Sequence, residues 1–265
     1  TNVVLNGDIV GGEDLIHLNQ SDIAVTAYGD SEAHFSLRDA EGDISSLTVE
    51  TRYPNDEDPR VNLVEGASVD VGISSSDIVI DDISLYALNS YSDIRVNIRS
   101  NEAVYLDHSE ISVLAGSNKH TARMSADHSN VYLNLDGANG VIQLLDVSSY
   151  SRDASVSADL SVSADIEEIK VRAISDWSKA SVDIALHGNN TLGNILVQAG
   201  RQSSSEDYFD WRLSNDVING WRGDNSNAHL NVSTGSNDSD NTTSFDGGDI
   251  IVTARSYDAD ADRKS

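Results

Sequence analysis

The sequence predicts an all-β chain wound as a parallel β-helix (a β-solenoid) of about eight or nine coils, with a short helical or loop insertion near the C-terminus. Three observations predict it. A hexapeptide recurs along the chain: an acidic or amide residue, Ile, any residue, Val or Leu, any residue, Ala. Its apolar positions alternate, which is the period of a strand and not of a helix. Further short alternating runs fill the intervals between copies, separated by polar turn residues.

The hexapeptide reads DIAVTA from Asp22, DISLYA from Asp82, EISVLA from Glu110, EIKVRA from Glu168, NILVQA from Asn194 and DIIVTA from Asp249. Weaker copies read SLTVET from Ser46 and VIQLLD from Val141. Successive starts are typically separated by a number in the high twenties, within the range of solenoids. The interval from Asn194 to Asp249 is about twice that, so a copy there is degenerate or displaced by an insertion. Ile, Val and Ala of each copy point to one face, and the terminal Ala suits a tight corner. Stacking predicts a column of Ile23, Leu47, Ile83, Ile111, Ile142, Ile169, Ile195 and Ile250. A second run follows most copies, as in Ala33-Phe35-Leu37, Ile94-Val96-Ile98, Ala122-Met124-Ala126, Val156-Ala158-Leu160 and Ala180-Val182-Ile184. A third run appears in several units, as Val69-Val71-Ile73, Val104-Leu106 and Val131-Leu133-Leu135.

The whole chain, 1–265, reads as one domain. Residues 1–21 form an N-terminal strand or cap, opening on Val3, Val4 and Leu5. Gly11-Gly12-Glu13-Asp14 is similar to the Gly- and Asp-rich turn that binds Ca²⁺ in RTX nonapeptides, and Asp14 is its candidate ligand; an ordinary turn is the competing reading. Residues 22–200 carry the repeats. The loop Tyr53–Pro59 interrupts the second unit, and Asp56 and Asp58 are candidate Ca²⁺ ligands or solvated acids. Residues 201–248 break the pattern. Ser205 is a helix cap there, and Phe209, Leu213, Val217 and Trp221 share one helical face. Tyr208, Trp211 and Trp221, with Trp177, are the aromatic candidates for contact with a sugar or a partner; packing over the repeats is the alternative. Asn231 to Asp249 is a low-complexity run whose Asp238, Asp240, Asp246 and Asp249 are further candidate Ca²⁺ ligands. Residues 249–265 are the last repeat and an acidic tail.

The formal net charge is −27, from 44 acidic and 17 basic residues. Such a chain repels nucleic acid and anionic membrane. High salt or bound Ca²⁺ would offset its self-repulsion. Aromatics are only 6% of the residues, lean for a compact core but adequate for a narrow one of Ile, Val, Leu and Ala. There is no cysteine, so disulfides and thiol chemistry are excluded. No apolar stretch is long enough to insert in a bilayer. The first residue is Thr1, which is the expectation for a processed, exported product, and Asn-x-Ser/Thr sequons such as those at Asn19 and Asn231 fit an exterior location.

No nucleophile elbow, phosphate loop, zinc-protease motif or dinucleotide fingerprint is present, so the expectation is a protein that is not an enzyme. The seven histidines are scattered, several on outward strand positions, where solvation is the simpler reading than metal ligation. Arg95, Arg99 and Arg123 are conceivable bases of a lyase-type β-helix, but nothing singles them out.

The repeated unit resembles those of secreted prokaryotic β-solenoid surface proteins, such as surface-layer proteins and RTX-type adhesins. The resemblance lies in pattern and composition, over about residues 22–200 and 249–254; tandem Gly-Gly-x-Gly-x-Asp repeats are missing. It implies a non-catalytic, self-associating extracellular or cell-surface protein whose assembly depends on Ca²⁺. Open solenoid ends favour head-to-tail stacking into a filament, sheath or layer. The alternative is a β-helix that binds or acts on surface polysaccharide. A β-sandwich adhesin module also fits the strand lengths but gives no reason for the repeat.

Overall fold

The computed structural model describes residues 3–10, 16–28, 31–52, 68–74, 78–87, 92–115, 129–149, 153–174, 178–200, 224–234, 244–245, 248–255 and 258–264. These residues form strands and turns, with no helix among them. The strands are β1 (Val3–Val10), β2 (Ile16–Tyr28), β3 (Ser31–Arg38), β4 (Ala40–Arg52), β5 (Ser68–Ser74), β6 (Ile78–Ala87), β7 (Asp93–Ala115) and β8 (Asn130–Ser149). They continue as β9 (Ser155–Ala173), β10 (Lys179–Leu186), β11 (Thr191–Gly200), β12 (Asp224–Thr234), β13 (Ser244–Phe245), β14 (Ile250–Arg255) and β15 (Asp258–Lys264). All belong to one large sheet whose described pairings are parallel. The predicted helix, capped by Ser205 with Gly220 just past its end, and the aromatic insertion lie outside the described residues.

The pairings fall into two ladders. One runs β1, β3, β5, then the first halves of β7, β8 and β9, then β10, β12 and β15. The other runs β2, β4, β6, then the second halves of β7, β8 and β9, then β11 and β14. The three long strands therefore serve both ladders. Among the described residues, consecutive stretches do not pair with each other; each pairs with its counterpart one repeat away.

The hexapeptide falls in the second ladder, in register. Ile23 pairs Leu47, Leu47 pairs Ile83, and Ile83 pairs Ile111. Ile169 pairs Ile195, which pairs Ile250. One residue of the expected column is wrong. Leu145, not Ile142, bridges Ile111 and Ile169; Ile142 pairs Ser109 and Ile166 instead. Two alternating phases overlap here. Ile142 and Leu145 are both fully buried, but they lie on either side of a corner where the register shifts. The working copy is LLDVSS from Leu144, which ends in Ser rather than Ala.

The division into second and third runs also needs correction. Val69-Val71-Ile73 and Val131-Leu133-Leu135 share a column with Ala33-Phe35-Leu37 and Ile94-Val96-Ile98 in the first ladder. Val104 and Leu106 belong to a different stretch, over Ile78 and Ile80. The run Ala122-Met124-Ala126 lies outside the described residues. Both ladders turn aliphatic side chains into one continuous core. Each fully buried Val, Leu or Ile contributes about 1.5–3 kcal/mol of transfer free energy.

The corner column after the hexapeptide is made of small residues: Ala27, Thr51, Ala87, Ala115, Ser149, Ala173, Ala199 and Ala254. Thr51 is fully buried and its hydroxyl has no hydrogen-bond partner among the described residues. A buried unsatisfied hydroxyl costs ~1–3 kcal/mol, more than its methyl returns. Thr51→Ala should therefore raise stability by about 1 kcal/mol in urea denaturation; a loss of that size would mean the hydroxyl is satisfied in solution.

Candidate functional site

The first position of the hexapeptide has a local task. Its side-chain oxygen meets the backbone of the next repeat at the corner, where the ladder register shifts. Asp82 Oδ1 accepts from the Glu110 N–H at 3.4 Å, and Asn194 Oδ1 accepts from the Asp249 N–H at 3.0 Å. The Ser46 hydroxyl donates to Asp22 Oδ1 at 2.7 Å. Away from the hexapeptide, Asp165 and Asp93 do the same for the N–H groups of Thr191 and Asn130. Asp82, Asp93 and Asp165, with Asn194, thus accept from backbone amides at bends, and that of Asn130 is shared with the Ser92 carbonyl.

A second corner escaped sequence reasoning. Ser92, Ser129, Ala154, Ser178 and Ser226 are buried in a column just before the first ladder. Their carbonyls link successive repeats: Ser92 O accepts from Asn130 N–H, Ser129 O from Ser155 N–H, Ala154 O from Lys179 N–H and Ser178 O from Asn227 N–H. The signal was present. In each case a small residue stands two places before an alternating apolar run, as in Ser92-Asp93-Ile94 and Ser178-Lys179-Ala180.

The outward face of the second ladder carries a polar network. Arg172 Nη2 meets Asp146 Oδ2 at 2.6 Å, and Arg172 Nε donates to Ser148 Oγ at 3.2 Å. Ser148 also donates to Asp146. Lys170 pairs Glu168 at 2.9 Å. The outward face of the first ladder is richer in amides, hydroxyls and carboxylates. An open depression of ≈150 Å³ there is lined by Asn134, Asp159, Ser161, Asp183 and Asn231, among others. Asp159 and Asp183 are register neighbours, so two carboxylates stand one strand apart. Asn231 Nδ2 relieves Asp183 by donating to it at 3.1 Å. Nearby, partial burial of Tyr132 raises its phenol above its ordinary value, and the hydrogen bond to Asp159 and that carboxylate's charge raise it further.

Most predicted site residues lie outside the described residues. That holds for Asp14, Asp56, Asp58, Asp238, Asp240 and Asp246, and for Trp177, Tyr208, Trp211 and Trp221. Asp249 is described: it is exposed, and its backbone is tied to β11 on both sides of the peptide. Among the described residues, no group of three or more His, Asp or Glu could hold a metal ion. Arg95 and Arg99 point outward on β7 and are exposed; Arg123 lies outside. His17 and His34 are outward, beside Glu41 and Asp70 respectively.

The ends of the ladders differ from the middle. Ile83, Ile111, Leu145, Ile169 and Ile195 are buried, but Leu18, Ile23 and Val25 at one end are only partly so. At the other end Val232, Ile250, Val252 and Ala254 are partly exposed. The large hydrophobics most exposed among the described residues are Tyr105, Phe245 and Ile251, two of them in the last repeat. Among the described residues, β2 pairs only β4, and β14 only β11. The candidate functional surfaces are therefore these two apolar ends, which carry nearly the same hexapeptide, DIAVTA and DIIVTA. Compared with known proteins, the chain matches no family model, no curated protein and no solved structure.

Proposed function

We propose that the chain is a parallel β-helix that serves as a structural, non-catalytic subunit, associating end to end into a filament, sheath or layer at a cell exterior. The observation that supports it most is the partial exposure of aliphatic columns at both ends, while the same columns are buried between them. A parallel ladder that stops leaves strand edges able to pair, and unlike ends generate open assemblies. The two ladders, each joining a stretch to its counterpart one repeat away, support the winding. The exterior location rests on the repeat's resemblance to surface solenoids. The charge of −27 opposes association at low ionic strength, so assembly requires screening by salt or divalent cations.

Light scattering against protein concentration, at low salt, at about 1 M salt where the Debye length is near 3 Å, and with Ca²⁺ or EDTA, tests the reading. Association should grow with salt, and electron micrographs should show linear or layered particles. A monomer under every condition would sink it. A second reading, binding of a surface polysaccharide, draws on the depression around Asp159 and Asp183, whose hydroxyls and amides suit sugar hydroxyls. Titration with neutral and acidic polysaccharides, followed by Trp fluorescence, separates the two.

A further inference from the structure

We infer that β15 occupies the seat that β1 of a second copy would take, so that it caps the chain against end-to-end growth and must leave for two copies to join. The inference rests on the end-to-end reading above. It starts from register. In the second ladder the joint is defined by the hexapeptide: Ile23 of one copy would follow Ile250 of another, Val25 would follow Val252, and Ala27 would follow Ala254. That order continues the spacing found along the ladder, where Ile195 pairs Ile250 and Ala199 pairs Ala254. The corner bond continues too. Asp249 would receive the Asp22 N–H as Asn194 receives that of Asp249.

The first repeat consists of β1 and β2, as the next consists of β3 and β4. If β2 of an incoming copy settles on β14, its β1 falls on β12. That edge is taken: Ala228 pairs Ala261, Leu230 pairs Arg263, and Asn231 pairs Lys264. The two strands thus compete for one edge.

The match differs between the competitors. β1 places Leu5, Gly7 and Ile9 at the register of Ala33, Phe35 and Leu37. Followed down the ladder, those positions lead to Ala228, Leu230 and Val232. β15 offers Ala261 and Arg263 at the first two positions, and its described pairing runs to Lys264, opposite Asn231. Val232 is partly exposed. β15 also crosses β12 with a register shift near Asp224. It is a polar, imperfect mate with one advantage, its tether, which supplies an effective concentration of about millimolar for a short link. A competing copy must overcome that concentration, so the tether sets the threshold for growth.

Two measurements on the full chain test this. Asp260→Pro removes the N–H at the register of Asn227, the position that in the ladder donates back to the preceding strand, and leaves the other strands unchanged. In about 1 M salt it should associate at a concentration at least tenfold lower than the parent, since freeing the edge raises the competent fraction. Equal thresholds would overturn the cap while leaving end-to-end association intact. No association by either protein would overturn the reading beneath it. The joint itself is tested by cross-linking, unambiguous in a chain without cysteine. Ala24 and Ile251 are both exposed and hold equivalent hexapeptide positions. Adjacent strands bring such Cα atoms ~4.8 Å apart, within disulfide reach. A mixture of the single variants Ala24→Cys and Ile251→Cys, mildly oxidised, should give a disulfide-linked heterodimer in excess of either homodimer. Its absence from associated material would overturn the proposed register.

Discussion

Ile83→Asp should unfold the chain or come close to it, while Ser84→Asp, one residue on, should be nearly silent. Ile83 is fully buried between Leu47 and Ile111. Removing its side chain alone costs ~2–5 kcal/mol, and an unpaired carboxylate in an aliphatic column adds several more. The sum, roughly 5 kcal/mol or above, equals much of the stability a domain ordinarily has. Ser84 lies on the opposite face, between Thr48 and Ser112, with no acid directly paired to it. Its replacement should change stability by about 0.5 kcal/mol or less in moderate salt. Urea denaturation followed by circular dichroism reads both. Similar losses at the two positions would contradict the alternation on which the columns depend, because one face of a strand would then be as buried as the other.

Two glycines should respond in opposite directions to the same methyl group. Gly42 has φ of 108°, in the region that side chains avoid, and a Cβ there would overlap the Leu18 carbonyl in the neighbouring strand. Backbone cannot step aside as a flexible side chain can, so Gly42→Ala should cost more than about 3 kcal/mol. Gly72 has open space around the corresponding position. It sits within β5 between Ser36 and Asn97, where glycine only adds disorder to the unfolded chain. Gly72→Ala should stabilise by ~0.5–1 kcal/mol. Thermal melts of the two variants decide it. A mild effect at Gly42 would mean that the corner between β2 and β4 is looser than the pairing implies.

The hexapeptide was legible because it repeats and because its apolar set has a period of two. Ile83, Ile111, Ile169 and Ile195 were placed in one column from that alone, and they stand in it. Where two alternating phases met, the same rule failed. Ile142 and Leu145 are both apolar and both buried, and only the register of neighbouring strands tells which belongs to the column. The serine corner failed differently: a buried Ser looks like a solvated one until its neighbours are known. The candidate surfaces were partly readable, since DIAVTA near one end and DIIVTA near the other are plain in the sequence. Their partial exposure was not.

By itself the sequence determined which residues face inward along each strand, because alternation is a local property of the extended backbone. Only the tertiary structure decided the register where two alternating phases meet, that Asp82 and Asn194 serve amides of the following repeat, and that β15 sits on the edge of β12. These are contacts between residues far apart in the chain. Loops of different length join the same stacked positions, so sequence distance does not measure distance in space.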